Sequence, residues 1–128
     1  MSDGLVLADA PRSKYHARRV TVDGLAFDSR SEADRWCELR LLCRAGKIQR
    51  LRRQVICPLS VVSDGETRVI GNYVVDFVYE ERDSAVGHTI WWVVFEEHKG
   101  AWTPLAQWKR KHFEAQYRVT LRITTPRR

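Results

Sequence analysis

The sequence predicts an α/β protein built on a small mixed β-sheet with helices packed against it. Two observations predict this class. A helix-like segment is followed by three strand-like segments, and then by a second helix and a last strand. A helix that connects two neighbouring strands of one sheet makes those strands parallel. The predicted core order is therefore helix, three strands, helix, strand (αβββαβ), preceded by a short N-terminal hairpin.

The length and composition fit a single globular domain. The chain has 128 residues, of which 44% are apolar and 30% are charged, and these fractions exclude a disordered protein. We expect residues 1–13 to form a flexible arm and residues 14–128 to form one domain. The longest apolar run, Ile90–Phe95, is far shorter than the roughly 20 residues of a membrane span, and no signal peptide is evident. An odd number of cysteines, three, does not suggest a disulfide framework, so we expect a cytosolic protein. Because no apolar run is long enough to span a membrane, we also expect it not to bind membranes.

The first elements follow from turn and cap residues. Asp23-Gly24, between two β-prone triplets, predicts a tight hairpin over residues 20–27. A helix is predicted from about Ser31 to Ala45, with Ser29 or Ser31 as its cap and Gly46 at its end.

The remaining elements follow from β-branched runs and a second cap. Strands are predicted at residues 55–62, 69–79 and 90–99, the third of them central and covered on both faces. Thr103-Pro104 begins a helix that runs to about Gln116, and a strand follows at residues 118–123. The predicted core-facing stripe of this second helix consists of Leu105, Trp108, His112 and Ala115, and Trp36, Trp91 and Trp92 are also predicted to pack in the core.

Basic and acidic residues separate along the chain. The net charge is +6, yet residues 54–98 contain eight acids and two basic residues, and the flanking segments are basic. A basic periphery around an acidic centre fits a polyanion such as DNA with a cation bound at the centre. Basic residues that merely solvate the surface are the alternative. The candidate phosphate contacts are Lys14, Arg18, Arg19, Arg50, Arg52, Arg53, Lys109 and Lys111.

Two acids are predicted to meet on the second and third strands. If their hairpin is centred on Val86-Gly87, Asp76 lies opposite Glu97, and directly opposed residues point to one face. Lys99 points the same way, because it lies two residues beyond Glu97. Glu96 and His98 point to the other face, although a one-residue slip in register would exchange these roles.

This arrangement predicts a divalent cation. Two adjacent carboxylates repel unless a proton or a cation lies between them, and hard cations such as Mg²⁺ or Mn²⁺ prefer oxygen ligands. The simpler alternative is a salt bridge between Lys99 and one acid. Asp76 favours the cation, because aspartate is depleted in strands and costly to bury. Glu32 is a third candidate acid: Ser29-x-x-Glu32 matches a capping box, but Glu32 also lies one turn before Trp36 on the face predicted to pack on the sheet.

Two further alternatives concern zinc and base stacking. The cysteines and histidines lack the paired short spacing of zinc sites. Trp102, beside Gly100, either fills the core or stacks on a base.

The ordered set Glu32, Asp76 and Glu97-His98-Lys99 resembles the motif of the PD-(D/E)XK nuclease superfamily, except that Val75 replaces the nominal proline. Over about residues 14–123 the chain also resembles a phage-encoded family of unknown function that is grouped with Holliday-junction resolvase-like endonucleases. The segments that carry this second resemblance are Lys14-Tyr15, Asp23-Gly24, Phe27-Asp28-Ser29 with Glu32, Ala45-Gly46-Lys47-Ile48, Asp76-Phe77-Val78-Tyr79 and Glu96-Glu97-His98-Lys99-Gly100.

The resemblance implies a restriction-endonuclease-like fold and a metal-dependent endodeoxyribonuclease that cuts branched or duplex DNA, acts as a homodimer and is found in a bacterial or phage-infected cytosol. The implied ligands of Mg²⁺ or Mn²⁺ are Asp76, Glu97, the main-chain carbonyl of His98 and Glu32. Lys99 would orient the attacking water, which makes Glu32, Asp76, Glu97 and Lys99 the expected catalytic set. A non-catalytic, basic DNA-binding module on the same fold is the alternative.

Overall fold

The computed structural model describes residues 19–127 as two helices and six strands in a mixed α/β arrangement. The strands are β1 (Val20–Val22), β2 (Leu25–Phe27), β3 (Ile48–Ser63), β4 (Glu66–Asp83), β5 (Ile90–His98) and β6 (Arg122–Thr124), and the helices are α1 (Arg30–Arg44) and α2 (Pro104–Tyr117). No helix in this range is long and apolar enough to cross a membrane. The predicted arm at 1–13, together with Lys14 and Arg18, lies outside the described residues.

The main sheet has the strand order β3-β4-β5-β6, in which β6 is parallel to β5 and the other neighbours are antiparallel. The predicted mixed sheet and parallel pair are therefore confirmed, as is the separate β1–β2 hairpin. β3 and β4 are longer than predicted and meet at the Asp64-Gly65 turn, where both residues have positive φ. Residues 48–54 are mostly polar, which explains why apolar alternation alone missed the start of β3.

The predicted ends of α1 are confirmed within a residue. The Ser29 hydroxyl accepts a hydrogen bond from the Glu32 main-chain N–H, which is the expected cap. Gly46 follows the helix with a φ of +74°, a conformation that glycine adopts without steric cost.

Two hydrophobic cores lie on the two sides of the sheet. α1 and the β1–β2 hairpin pack with Phe77 and Tyr79 of β4, whereas α2 packs with Tyr73 and Val75 of the same strand. These four positions are all odd-numbered, and Val78 belongs to the same core as Tyr73 and Val75. The alternation of β4 between the two cores therefore shifts by one residue between Val75 and Phe77. Asp76 lies at this change, opposite a residue of β3, Gln54, that has a φ of +52°. The irregular backbone therefore places an acid at the border of both cores.

The predicted inner face of α2 is wrong. Leu105 and Trp108 are 69% and 77% exposed, whereas Phe113 is fully buried. The Phe113 ring stacks on Tyr73 with a centroid distance of 4.9 Å and on Tyr117 at 5.1 Å. Aromatic contacts of this size outweigh those that the Leu105–Trp108 stripe could make, and they fix the rotation of the helix.

Side chains of α2 also bond to the main chain of β3. The Gln116 side chain accepts from the Ser60 N–H and donates to the Pro58 carbonyl, and the Tyr117 hydroxyl donates to that same carbonyl. The His112 ring contacts the Ser60 carbonyl. These bonds fasten α2 along the outer edge of the sheet.

The predicted cover on both faces of β5 is wrong for its first half. Ile90 is 44% exposed, and Trp92 and Val93 are each 57% exposed. β6 is shorter than predicted and pairs only with residues 96–98, because Arg118 ends α2 in the left-handed conformation and the strand begins only at Arg122.

The orientation of α2 makes a prediction about stability. Phe113→Ala should lower the free energy of unfolding by about 4 kcal/mol, because it leaves a cavity in an aromatic cluster. Trp108→Ala, the matched change on the exposed face, should alter it by less than about 0.5 kcal/mol. Urea unfolding followed by circular dichroism measures both, and equal losses would contradict the orientation.

Candidate active site

The hairpin of β4 and β5 brings Asp76 and Glu97 together. Phe77 pairs with Glu96, as the predicted register requires, and the same register places Asp76 opposite Glu97. The Asp76 N–H donates to Glu97 Oε1 at 3.4 Å, and Asp76 Oδ2 accepts from the His98 N–H at 2.9 Å. The two carboxylates, which we call the acid pair, are thus held side by side by main-chain groups.

Glu32 approaches the acid pair through an intervening amide. Gln54 Nε2 donates to Glu32 Oε2 at 3.1 Å and to Asp76 Oδ1 at 3.3 Å. The Glu32 carboxylate therefore points to the sheet, although the Glu32 N–H takes part in the helix cap. Sequence reasoning missed Gln54, because nothing in a polar stretch of β3 singles out the one residue whose left-handed backbone turns its side chain toward the acids.

Burial and neighbouring acids raise the pKa of Glu32, Asp76 and Glu97. Burial, and then the charge of Asp76, raise the pKa of Glu97 to about 8, and burial, Asp76 and Asp28 raise the pKa of Glu32 to about 7. Burial is also the main reason why the pKa of Asp76 is raised. Near neutral pH this cluster is therefore stabilised by protons or by a cation. Asp28, directly after β2, lies in a segment that carries the family resemblance, but sequence reasoning did not name it as a site acid.

Lys99 lies beside the acid pair and contacts an aromatic ring. Its ammonium is 5.2 Å from the centroid of Trp102, as is the Arg110 guanidinium. The charge of Lys99 lowers the pKa of both acids, although other causes outweigh it. Within residues 19–127 Lys99 forms no close ion pair with Asp76 or Glu97, so the simple salt bridge is not the arrangement found.

The Tyr73 hydroxyl is a buried group that has no hydrogen-bond partner in the described part of the chain. Burial raises the pKa of this phenol first, and the charges of Glu97 and Asp76 raise it further. A buried hydroxyl without a partner is costly. Its place near two acids suits a site that takes up water or an ion.

The donor set fits a hard cation with few protein ligands. No group of three or more His, Cys, Asp or Glu side chains among the described residues is arranged to hold a metal ion. Asp76 and Glu97 would therefore supply two carboxylates, and main-chain oxygen and water would supply the rest. Mg²⁺ commonly keeps several waters and binds through one or two carboxylates, so the acid pair fits such an ion.

Glu96 points away from the acid pair, as expected from the register. It is fully buried, and it accepts from Arg35 Nε at 2.7 Å and from the Tyr79 hydroxyl at 2.6 Å. Although burial raises the pKa of Glu96, these bonds outweigh burial and hold it below its usual value. The acid beside Asp76 is therefore Glu97 and not Glu96.

The His98 ring is held on the same side as Glu96. Its Nδ1 is 2.9 Å from the Thr124 hydroxyl, which also donates to Glu96, and its Nε2 contacts the Ser31 hydroxyl. Burial lowers the pKa of the imidazole. His98 thus faces the acid pair with its main chain and not with its ring.

The predicted phosphate contacts differ in their surroundings. Arg19, Arg52 and Lys111 are exposed, and Lys109 is half-buried. Arg50 is exposed but lies 3.8 Å from Glu80. Arg53 is engaged structurally, because it donates to the Ala26 carbonyl at 2.7 Å and lies over the Phe27 ring; it fastens the β1–β2 hairpin to β3.

Comparison with known protein families gives a match. A family described as "Protein of unknown function (DUF1064)" matches residues 12–126. The chain belongs to DUF1064. The matched range of DUF1064 includes every acid of the cluster as well as Lys99 and Tyr73. No curated protein and no solved structure matches the chain.

The raised pKa of Glu97 predicts how stability depends on pH. The folded protein keeps this proton to a higher pH than the unfolded chain, so without metal the free energy of unfolding should fall as pH rises from about 4.5 to about 8. Glu97→Gln should flatten this decline and stabilise the protein by on the order of 2 kcal/mol at pH 8. Urea unfolding at several pH values tests this, with the exposed Glu66→Gln as the control. Parallel curves for Glu97→Gln and wild type would contradict the raised pKa of Glu97.

The buried ion pair predicts a large loss of stability. Arg35→Met should cost about 3–5 kcal/mol, because it leaves the Glu96 carboxylate buried without its cation. Arg30→Met, which removes an exposed pair with Asp34, should cost less than about 1 kcal/mol. The measurement is urea unfolding at pH 7, and similar costs for both variants would show that Glu96 does not depend on Arg35.

Proposed function

We propose that this DUF1064 protein is a metal-dependent endodeoxyribonuclease with a restriction-endonuclease-like fold, and that it hydrolyses phosphodiester bonds in branched DNA. The observation that carries the proposal is the acid pair, two carboxylates held side by side at the border of two cores with Lys99 beside them. A protein that only binds DNA gains nothing from burying repulsive carboxylates where phosphates approach.

Asp76 and Glu97 are the residues that would hold Mg²⁺ or Mn²⁺, with the His98 main-chain carbonyl as a further ligand. When bound, such an ion lowers the pKa of a coordinated water and neutralises charge on the phosphate. Glu32 reaches Asp76 through Gln54. We therefore propose that Glu32 positions the side-chain amide of Gln54 and holds a proton next to the acid pair.

Lys99 and its neighbours supply the positive charges and hydrogen-bond donors around the acid pair. Trp102 holds the Lys99 ammonium near the acid pair, where it can orient a water and attract a phosphate oxygen. Arg110 brings a second cation to the same ring. The Tyr73 hydroxyl, which has no partner in the described residues, can donate to a water at the acids. Lys109 or Lys111 would contact the scissile phosphate.

The substrate class follows from the charge and from the family resemblance. A net charge of +6 favours a polyanion, and the exposed arginines and lysines suit phosphate contacts, which carry no sequence information. Recognition by DNA shape is therefore favoured, and the likeness to Holliday-junction resolvases favours branched DNA. Such substrates present paired strands, which two copies of the chain would cut together.

Substitution of the acid pair and of the lysine tests this function. In Mg²⁺, Asp76→Asn and Lys99→Ala should each reduce cleavage by at least about a hundredfold. Asp64→Asn and Lys47→Ala are matched changes of the same types outside the site and should cleave as wild type does. Cleavage is measured on four-way junction, flap, duplex and single-stranded DNA, in Mg²⁺ and in Mn²⁺.

The outcomes separate the enzyme from its alternative. Cleavage at the wild-type rate by Asp76→Asn or Lys99→Ala would overturn the mechanism. Tight DNA binding without cleavage of any substrate in either metal would instead identify a non-catalytic, basic DNA-binding module. Calorimetry with Mn²⁺ adds a direct readout, since Asp76→Asn should abolish the binding that Asp64→Asn retains.

A further inference from the structure

α2 carries an uncovered apolar pair on its outer face. Leu105 and Trp108 are 69% and 77% exposed, and their spacing of three residues places them next to each other on the helix surface. Tryptophan is highly buried on average and contributes a large contact area when it meets a partner. Packing among the described residues therefore does not explain why two large apolar side chains are found at these positions.

The charge around the apolar pair indicates the chemistry of its partner. Residues 104–113 contain Lys109, Arg110 and Lys111, and the next acid, Glu114, pairs with Arg110 at 3.5 Å. A second copy docked on this face would bring two sets of like charges together, which is unfavourable. A polyanion would be attracted instead, and a nucleic acid also offers flat bases on which an exposed indole can stack.

The helix that carries Trp108 is directly connected to the candidate active site. Arg110 lies two residues beyond Trp108 and contacts the same Trp102 ring as Lys99. Phe113 anchors the helix in the core, so the position of Trp108 relative to the acid pair is fixed. Residues two apart on a helix point in different directions, so a DNA molecule that reaches both Trp108 and the acid pair would pass around α2.

We propose that Trp108, with Leu105 beside it, stacks on a nucleobase that is unpaired or unstacked at a branch point of DNA. The inference rests on the proposed function and adds the feature that distinguishes branched from duplex DNA. Trp102, the candidate from the sequence, is half-buried, and its ring already contacts the cations of Lys99 and Arg110, so the exposed Trp108 takes this role.

The test measures binding in EDTA, so that binding is separated from cleavage. The probes are a fluorescent three-way junction with two unpaired bases at the branch and a fully paired duplex of equal length. Trp108→Ala should bind the junction about tenfold more weakly and the duplex within twofold of wild type, whereas Trp108→Phe should keep most of the affinity. Trp92→Ala, which removes a tryptophan that is 57% exposed on β5, is the control and should change neither.

A crosslink supplies a readout that general destabilisation would not produce. With 5-iodouracil at the unpaired position, ultraviolet light should join the DNA to the peptide that contains Trp108. Equal weakening on both DNAs, no weakening, or a crosslink elsewhere would overturn the inference. Loss of dimer mass in Trp108→Ala by light scattering would instead assign the face to a second copy, and loss of binding to anionic vesicles would assign it to a lipid surface.

The two proposals can fail separately. Junction binding that depends on Trp108, without cleavage in Mg²⁺ or Mn²⁺, keeps the stacking role and overturns the endonuclease. Cleavage by a protein whose Trp108→Ala variant binds the junction as wild type does keeps the endonuclease and overturns the stacking role.

Discussion

The burial of the Asp76 and Glu97 carboxylates next to each other is the constraint on which the candidate site depends. The pairing of β4 with β5 forces the two groups together, and burial weakens the screening that water would provide. Main-chain N–H groups of Asp76 and His98 offset part of this cost. The remaining cost of burying two carboxylates favours the binding of a proton or a cation between Asp76 and Glu97.

The two faces of β5 have different roles: one holds the strand in place, and the other carries residues of the candidate site. Glu96 and the His98 ring are bonded to α1 and β6 through Arg35, Ser31 and Thr124, which uses their polar groups fully. The neighbouring Glu97 and Lys99 face the acid cluster. Because side chains alternate along β5, Glu96 and His98 fix the position of the strand, whereas Glu97 and Lys99 supply the groups of the candidate site. The Arg35–Glu96 bonds hold the segment whose main chain contacts Asp76.

The acid pair could be predicted because its causes are local. Gly87 marks the hairpin, alternation assigns the faces, and an aspartate within an apolar strand is a strong signal. The roles of Gln54 and Tyr73 could not, since they depend on a left-handed residue in β3 and on aromatic packing against α2. The inner face of α2 was predicted wrongly for a related reason. The helix carries apolar pairs at helical spacing both at Leu105 and Trp108 and at Phe113 and Tyr117. The choice between them is made by Tyr73 and Phe95, which are distant in sequence and pack on Phe113.

The bonds from α2 to Pro58 and Ser60 have a consequence for the sheet as a whole. β3 is an outermost strand of the order observed, and the free main-chain groups of such a strand can accept a strand from another molecule. Gln116 and Tyr117 satisfy those groups over part of its length. The helix that packs the core therefore also covers part of this edge and leaves fewer main-chain groups of the long β3–β4 hairpin open to pairing with another strand.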